Sequence, residues 1–198
     1  MSRLMAFVDG ENLTTRFQDM VNEGRKPRTS PSPQWEFLPE TEYQENKYVW
    51  SPATVRNLFS DESLLRVHFY TTFPGPPNEA DALSEEIARL VAQPLRDNDI
   101  YPAVQLRLIP RVFQKQKRNT KAKSVDINIC VDVMEYTGRN SLDAVYLVTG
   151  DIDYAPLIEA VMRAGKRVYV AALSSGLATR LRYGTDRFID LDKTYFEQ

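Results

Sequence analysis

Cysteine and histidine are nearly missing from this chain of 198 residues, which has one of each, Cys130 and His68. A single cysteine excludes an intrachain disulfide and suits a reducing compartment. His68 lies within an apolar strand pattern, where a lone histidine is more often a packing residue than a catalyst. We therefore assign it no role from the sequence.

Long apolar runs and a large net charge are also lacking. No hydrophobic stretch approaches the length of a membrane span, and the apolar start at residues 1–8 is interrupted by Asp9 and is too short for a signal peptide. The chain has 25 Lys and Arg against 27 Asp and Glu, and the net charge of -2 argues against a protein that coats nucleic acid non-specifically. We expect a cytoplasmic protein that binds no membrane and whose basic surface is local.

Short apolar runs alternate with helical patterns along most of the chain. Strands are predicted at residues 4–8, 64–70, 104–112, 144–148, 166–172 and 187–190. Helices are predicted at residues 11–22, 51–59, 78–97, 125–137, 155–164 and 177–183. This alternation predicts a mainly parallel sheet with helices on both faces, and the length suits one domain.

A segment rich in proline and aromatic residues, at about 23–53, interrupts this alternation. One interpretation is that its aromatic side chains stack on bases while Arg25, Lys26 and Arg28 bind phosphates. The other is that the aromatic side chains fix a long loop to the body of the protein. The aromatic residues of this insertion are Trp35, Phe37, Tyr43, Tyr48 and Trp50.

Carboxylates follow two of the predicted strands at their carboxyl ends. Asp9 ends the first strand, and Asp151 and Asp153 follow the strand at 144–148. In an open α/β sheet, ligands bind at the carboxyl ends of the strands. Each aspartate also has a local explanation, because Asp9 fits a turn before glycine and Asp153 fits the N-cap of the next helix.

The helix predicted at 125–137 tests these two interpretations. At about 3.6 residues per turn, Asp126 lies on the same side as the apolar residues, whereas Asp132 lies on the other side and is predicted to be solvated. An unpaired carboxylate facing inward is costly, so a cation or converging donors would explain Asp126. The alternative is an aspartate favoured only by the helix dipole. The predicted apolar arc contains Ile127, Ile129, Cys130, Val133 and Met134.

The densest basic run of the chain comes directly before Asp126. Such a run is often only a solvated loop, but this one has a single sign in a slightly acidic protein. A phosphate-binding role and a solvated loop therefore both stay open. The basic residues are Arg111, Lys115, Lys117, Arg118, Lys121 and Lys123.

Clustered carboxylates repel one another, so a shared site for Asp9, Asp126, Asp151 and Asp153 implies a bound divalent cation. Oxygen ligands without histidine or cysteine favour Mg²⁺ or Mn²⁺ over zinc. Such a cation lowers the pKa of bound water and stabilises charge on a phosphodiester. An acidic site beside a local basic run therefore indicates phosphodiester hydrolysis, with water as the attacking group because no side chain is an obvious nucleophile.

Three ordered stretches resemble a known family: Phe-Val-Asp-Gly-Glu-Asn-Leu at 7–13, Lys-Ser-Val-Asp at 123–126 and Thr-Gly-Asp-Ile-Asp-Tyr at 149–154. They resemble the NYN domain family (the LabA-like group) of PIN-like nucleases. The family pattern is D-x-N after the first strand, K-x-x-D at the start of a helix and S-G-D-x-D-[FY] after the fourth strand. The resemblance implies a three-layer α/β/α, PIN-like (Rossmann-like) fold, a single domain over residues 1–198, and metal-dependent cleavage of RNA.

By position, the resemblance implies that Asp9, Asp126, Asp151 and Asp153 hold Mg²⁺ or Mn²⁺. It also implies that Asn12 orients substrate or a ligand. Thr149 stands where the pattern has serine and keeps the hydroxyl. The insertion does not belong to the pattern, and the RNA target and homo-oligomerisation stay open.

Two other functions remain as alternatives. The first is a non-catalytic RNA-binding or regulatory protein on the same fold. The second is a phosphatase or phosphotransfer module, which Thr149 after a strand and Lys166 superficially suit. That class needs a second carboxylate two residues after the nucleophile, a position that Glu11 fills imperfectly after Asp9.

Overall fold

The structure is a computed structural model that describes residues 1–28, 40–55, 62–93, 106–114 and 123–197. The strands are β1 (Ser2–Asp9), β2 (Glu42–Gln44), β3 (Tyr48–Trp50), β4 (Glu62–Phe73), β5 (Val91–Gln93), β6 (Leu106–Gln114), β7 (Ala144–Val148), β8 (Arg167–Ala172) and β9 (Arg187–Asp190). The helices are α1 (Gly10–Asn22), α2 (Pro77–Arg89), α3 (Lys123–Gly138), α4 (Ala155–Arg163), α5 (Thr179–Tyr183) and α6 (Asp192–Tyr195). Short 3₁₀ turns cover Pro52–Thr54 and Ile152–Tyr154.

Seven strands of the described residues form one sheet in the order β5-β6-β4-β1-β7-β8-β9. Every neighbouring pair is parallel except β5 and β6. Parallel strands need crossover connections, which place helices on both faces of the sheet. The predicted three-layer α/β/α fold with a mainly parallel sheet is therefore confirmed.

Alternate residues of β1 face two different cores. Leu4, Ala6 and Val8 pack into the core formed with α1, α2 and the β2–β3 hairpin. Met5 and Phe7 pack into the core formed with α3 and α4. Because side chains alternate along a strand, Asp9 points to the same face as Met5 and Phe7. The last residue of the central strand thus faces α3 and α4.

The described part of the insertion packs against the protein body. Tyr48 and Trp50 are buried, and the indole N–H of Trp50 donates to the carbonyl oxygen of Val91 at 2.8 Å. The ring of Tyr43, which is partly exposed, contacts that of Phe17 at 5.0 Å between centroids. Buried rings cannot stack on RNA bases, so Tyr48 and Trp50 fix the segment to the body, as the second interpretation predicts. The other two aromatic residues lie outside the described residues.

Some predicted boundaries are wrong. The helix predicted at 78–97 ends at Arg89, because the chain turns extended at Leu90 and β5 then pairs with β6. The helix predicted at 51–59 is a 3₁₀ turn that Ser51 caps at the N–H of Ala53, and its remainder from residue 56 lies outside the described residues. The short helix α6 was not predicted. No described helix is long and apolar enough to cross a bilayer.

The inward face of α3 is only partly as predicted. Ile129 and Val133 are buried, but Ile127 and Met134 of the predicted apolar arc are exposed. Asp132, predicted to be solvated, is buried. It accepts hydrogen bonds from two side chains on neighbouring strands, the Tyr70 hydroxyl at 2.7 Å and the Arg111 guanidinium at 2.8 Å. Because α3 has apolar residues on both sides, its sequence defines the buried side poorly.

Candidate active site

Asp9 lies between the end of β1 and the start of α1 and is almost completely buried. Its Oδ1 accepts the backbone N–H of Asn12 at 3.0 Å and so caps α1. Its Oδ2 accepts the hydroxyls of Thr149 at 3.3 Å and Tyr154 at 3.2 Å. Burial is the main cause that raises the pKa of Asp9 to about 7, and the charge of Asp126 contributes to this rise. The hydrogen bonds from Asn12 and Tyr154 oppose it. Asp9 is thus a helix cap and a member of a carboxylate pair.

Asp126 and Asp9 both accept the hydroxyl group of Tyr154. It lies in the first turn of α3, is partly buried, and its Oδ1 accepts the Tyr154 hydroxyl at 3.0 Å. Burial raises the pKa of Asp126, and the charges of Asp151, Glu11 and Asp153 raise it further. Burial and then the two carboxylates raise the pKa of Tyr154, which stays protonated and acts as a donor. Asp9 and Asp126 therefore converge on the Tyr154 hydroxyl.

The turn after β7 brings Tyr154 to this place. The Thr149 hydroxyl accepts the N–H of Asp151 at 3.2 Å, and Oδ1 of Asp151 accepts the N–H of Asp153 at 3.0 Å. Asp151 therefore caps the 3₁₀ turn, rather than Asp153, which is exposed. Both carboxylates lie close enough to affect the pKa of Asp126. The hydroxyl that Thr149 shares with serine in the family pattern links this turn to Asp9.

Asn12 joins the start of α1 to the same turn, because its side-chain oxygen accepts the N–H of Gly150 at 3.1 Å. Gly10, between Asp9 and Glu11, allows the helix to begin close to β4. A Cβ at Gly10 would lie 2.2 Å from the ring of Phe69 and 2.8 Å from the backbone oxygen of Tyr70. The Asp-Gly-Glu-Asn sequence thus brings the first helix turn against the sheet edge.

Sequence reasoning missed three residues of this site. Glu11, considered only as a phosphatase carboxylate, raises the pKa of both Asp9 and Asp126 and accepts the Thr72 hydroxyl at 2.8 Å. Thr72 comes from β4, and no local pattern connects it with the first helix. Tyr154 was part of the quoted pattern but was assigned no role. Its position after two aspartates was the available signal.

The donor set fits a hard divalent cation held by two carboxylates. Across the parts of the chain that the structure describes, no three His, Cys, Asp or Glu side chains come together closely enough to hold a metal ion jointly. Magnesium commonly binds through one or two carboxylates, keeps several waters and contacts substrate phosphates. Asp9 and Asp126 provide such a pair. The larger set, with Asp151 and Asp153 as ligands, stays a prediction.

The predicted RNA-binding residues lie mostly outside the described residues, including Lys115, Lys117, Arg118 and Lys121. The backbone of Lys123 begins α3, three residues before Asp126. The basic run therefore leads into the helix turn that carries a site carboxylate.

These observations define an α/β protein with an acidic site at the carboxyl edge of a parallel sheet. The family model for the NYN domain matches residues 3–192. The chain therefore belongs to the NYN domain family, as its three motifs predict, and this membership supports a nuclease or RNA-related function.

Two similar proteins have no stated activity. Uncharacterized protein MJ0482 of Methanocaldococcus jannaschii is 30% identical over 74 residues, which make up 37% of this chain and 31% of that protein. A crystal structure of a protein of unknown function, VPA0982 from Vibrio parahaemolyticus, matches with a TM-score of 0.60 and 16% identity. That match covers 99% of this chain and 96% of the other, and it shows a shared fold.

Proposed function

We propose that this chain is a metal-dependent ribonuclease that hydrolyses RNA phosphodiester bonds with water as the attacking group. The observation that supports this most is the convergence of Asp9 and Asp126 on the Tyr154 hydroxyl, at the carboxyl edge of the sheet. Ligands of open α/β sheets bind at this edge. Membership in the NYN domain family also supports this proposal.

In this proposal, Asp9 and Asp126 hold Mg²⁺ or Mn²⁺, and Asp151 and Asp153 add negative charge and further ligands. The cation lowers the pKa of water and stabilises charge on the phosphodiester. Thr149 fixes Asp9 through its hydroxyl, and Asn12 keeps the turn at Gly150 against α1. These contacts orient the carboxylates before substrate arrives.

The basic run supplies the complementary charge for RNA. Lys115, Lys117, Arg118, Lys121 and Lys123 bind backbone phosphates in this proposal and bring the strand toward Asp126. The chain is slightly acidic overall, so this local positive charge opposes the repulsion between RNA and the acidic site.

Cleavage of labelled RNA by purified protein tests the activity. Single-stranded and structured RNAs are incubated with Mg²⁺, Mn²⁺ or EDTA, and we expect cleavage only with a divalent cation. In Asp151→Asn, the amide oxygen still accepts the N–H of Asp153, so the turn survives. The change removes a negative charge from the site, so we expect cleavage to fall at least about 100-fold. Binding of RNA is kept or strengthened, because less negative charge faces the phosphates.

The matched control for that variant is Asp81→Asn, an identical change at an exposed position of α2. We expect its activity to stay within about two-fold of the wild type, because surface charges far from the site contribute little. Full activity of Asp151→Asn, or cleavage in EDTA, would contradict the metal-dependent mechanism. RNA binding without cleavage would support the non-catalytic alternative, and hydrolysis of small phosphate esters would support the phosphatase.

A single domain over residues 1–198, a cytoplasmic location and homo-oligomerisation belong to the same proposal. Limited proteolysis tests the single domain, and fractionation of the native cell tests the location. Light scattering coupled to gel filtration tests homo-oligomerisation.

A further inference from the structure

The Tyr154 ring and its hydroxyl have different surroundings. The ring is buried among apolar side chains of α3, α4 and β7, including Ile129, Leu147 and Ile158. The hydroxyl lies between Oδ2 of Asp9 at 3.2 Å and Oδ1 of Asp126 at 3.0 Å. A phenylalanine would fill the same apolar space, so packing alone does not account for the hydroxyl.

Two carboxylates repel each other when no positive charge separates them. One phenol proton between them offsets part of that repulsion and fixes which oxygen of each carboxylate faces the other. Oδ1 of Asp9, which accepts the Asn12 N–H, and Oδ1 of Asp126 each have a second lone pair, so both carboxylates can keep their hydrogen bonds while they bind a cation. Side chains that hydrogen-bond to ligand carboxylates commonly change metal affinity by about 10–100-fold when they are removed.

We propose that the Tyr154 hydroxyl is a positioning group that holds Asp9 and Asp126 together as one cation-binding pair. The inference rests on the proposed function and adds the group that orders its ligands. Tyr154 is buried and contacts both carboxylates, so its role is to position these ligands. Its removal therefore weakens the binding of the cation and leaves the chemistry intact once the cation is bound.

The experiment is Mn²⁺ binding by Tyr154→Phe in the absence of RNA, followed by the electron paramagnetic resonance signal of free Mn²⁺. We expect the dissociation constant to rise about 10-fold or more over the wild type. In cleavage assays, the Mn²⁺ concentration that gives half-maximal activity rises by a similar factor, and kcat at saturating Mn²⁺ stays within about three-fold. A merely structural defect would not be rescued by added Mn²⁺.

Tyr146→Phe is the matched control. Tyr146 is as deeply buried as Tyr154 but lies in the opposite core, where its hydroxyl donates to the backbone oxygen of Thr54 at 2.7 Å. Both variants lose one buried hydroxyl group, and we expect only Tyr154→Phe to lose Mn²⁺ affinity. Equal affinity in Tyr154→Phe and the wild type, or an equal loss in both variants, would overturn the positioning role.

A crystal structure of the wild type with Mn²⁺ covers the case in which Tyr154→Phe does not fold. We expect the Tyr154 hydroxyl to remain within hydrogen-bonding distance of a carboxylate that binds Mn²⁺. A hydroxyl that contacts neither ligand would overturn the role. If the wild type binds no Mn²⁺, the proposed metal site fails and this inference fails with it. If the wild type and Tyr154→Phe bind Mn²⁺ equally well, only this inference fails and the nuclease proposal survives.

Discussion

At the residue scale, His68 is a titratable group that the proposed reaction does not use. It is buried in β4, its ring stacks on Phe7 at 5.4 Å between centroids, and Tyr136 lies at 5.5 Å. Within the described residues, neither ring nitrogen has a hydrogen-bond partner. Burial is the main cause that lowers the pKa of His68 to about 4. The charges of Arg111 and Arg66 contribute to this lowering, whereas the charge of Asp132 opposes it. His68 is therefore neutral in the folded protein near neutral pH.

This burial predicts a loss of stability in mild acid. The unfolded chain binds a proton at the ordinary histidine pKa of 6.5, whereas the folded chain resists it until about 4. The unfolded state thus binds more protons between these values, so stability is complete above pH 6.5 and falls as the pH drops toward 4. Between about pH 7.5 and 5, we expect His68 to cost about 2 kcal/mol of unfolding free energy.

Urea denaturation of the wild type and of His68→Phe at the two pH values measures this cost. Phenylalanine keeps a flat ring against Phe7 and removes the titration. Carboxylates titrate in both proteins, so the difference between the two pH slopes isolates His68. Parallel slopes would contradict the prediction.

At the element scale, the central strands were predictable because each is a continuous apolar run buried on both faces. The central strand β7 (Ala144–Val148) has the predicted bounds, and so does the edge strand β9 (Arg187–Asp190), although β9 is only partly buried. Strand β5 and the β2–β3 hairpin were not predicted, because three-residue strands have too little periodicity and depend on pairing with distant residues. The family motifs pointed to Asp9 and Asp126, but they gave no sign of Thr72, which reaches Glu11 from a strand sixty residues away.

Helix α3 shows how tertiary contacts override a helical pattern. Asp132 is buried by two partners that local periodicity cannot reveal, Tyr70 on β4 and Arg111 on β6. The Arg111 guanidinium remains partly exposed, so solvent weakens its ion pair with Asp132. The contact nevertheless ties α3 to the neighbouring strands β4 and β6.

This contact predicts that Asp132→Asn lowers the unfolding free energy by about 1–2 kcal/mol. The amide oxygen still accepts the Tyr70 hydroxyl, but the charge that binds Arg111 is lost. Urea denaturation gives the free energy, and Asp81→Asn serves again as the exposed control. Because Asp132 binds Tyr70 and Arg111 rather than the carboxylate pair, Mn²⁺ affinity should stay unchanged. A loss of stability no larger than that of the control would show that the contact contributes nothing.

At the scale of the whole molecule, charge is distributed unevenly along the chain. Carboxylates gather at the carboxyl edge of the sheet, where burial and mutual repulsion disfavour their charged forms. The basic run ends at Lys123, where the helix carrying Asp126 begins. The opposite edge of the sheet, where α3 and α4 end, carries other basic residues, two of which pair with glutamates of the same helices.

This distribution predicts that RNA binding depends specifically on the basic run. The salt dependence of the RNA affinity should reveal this. Replacing Lys115, Lys117 and Lys121 together by glutamine removes three phosphate contacts, so fewer counterions are released on binding. For single-stranded RNA, we expect the slope of log affinity against log salt to become less steep by about 2. Fluorescence anisotropy measures the slope in the Asp151→Asn background, which keeps the RNA intact.

The control removes the same number of charges from the opposite edge of the sheet, by replacing Arg139, Arg163 and Lys166 with glutamine. Both triple variants change the net charge equally, so a general electrostatic effect alters both salt slopes alike. If the basic run is a local phosphate-binding surface, only the first variant has an altered salt slope. The reason is that the number of counterions released depends on the number of phosphates that the protein contacts. An unchanged slope in the first variant would show that the basic run is a solvated loop and that RNA reaches the carboxylates along another surface.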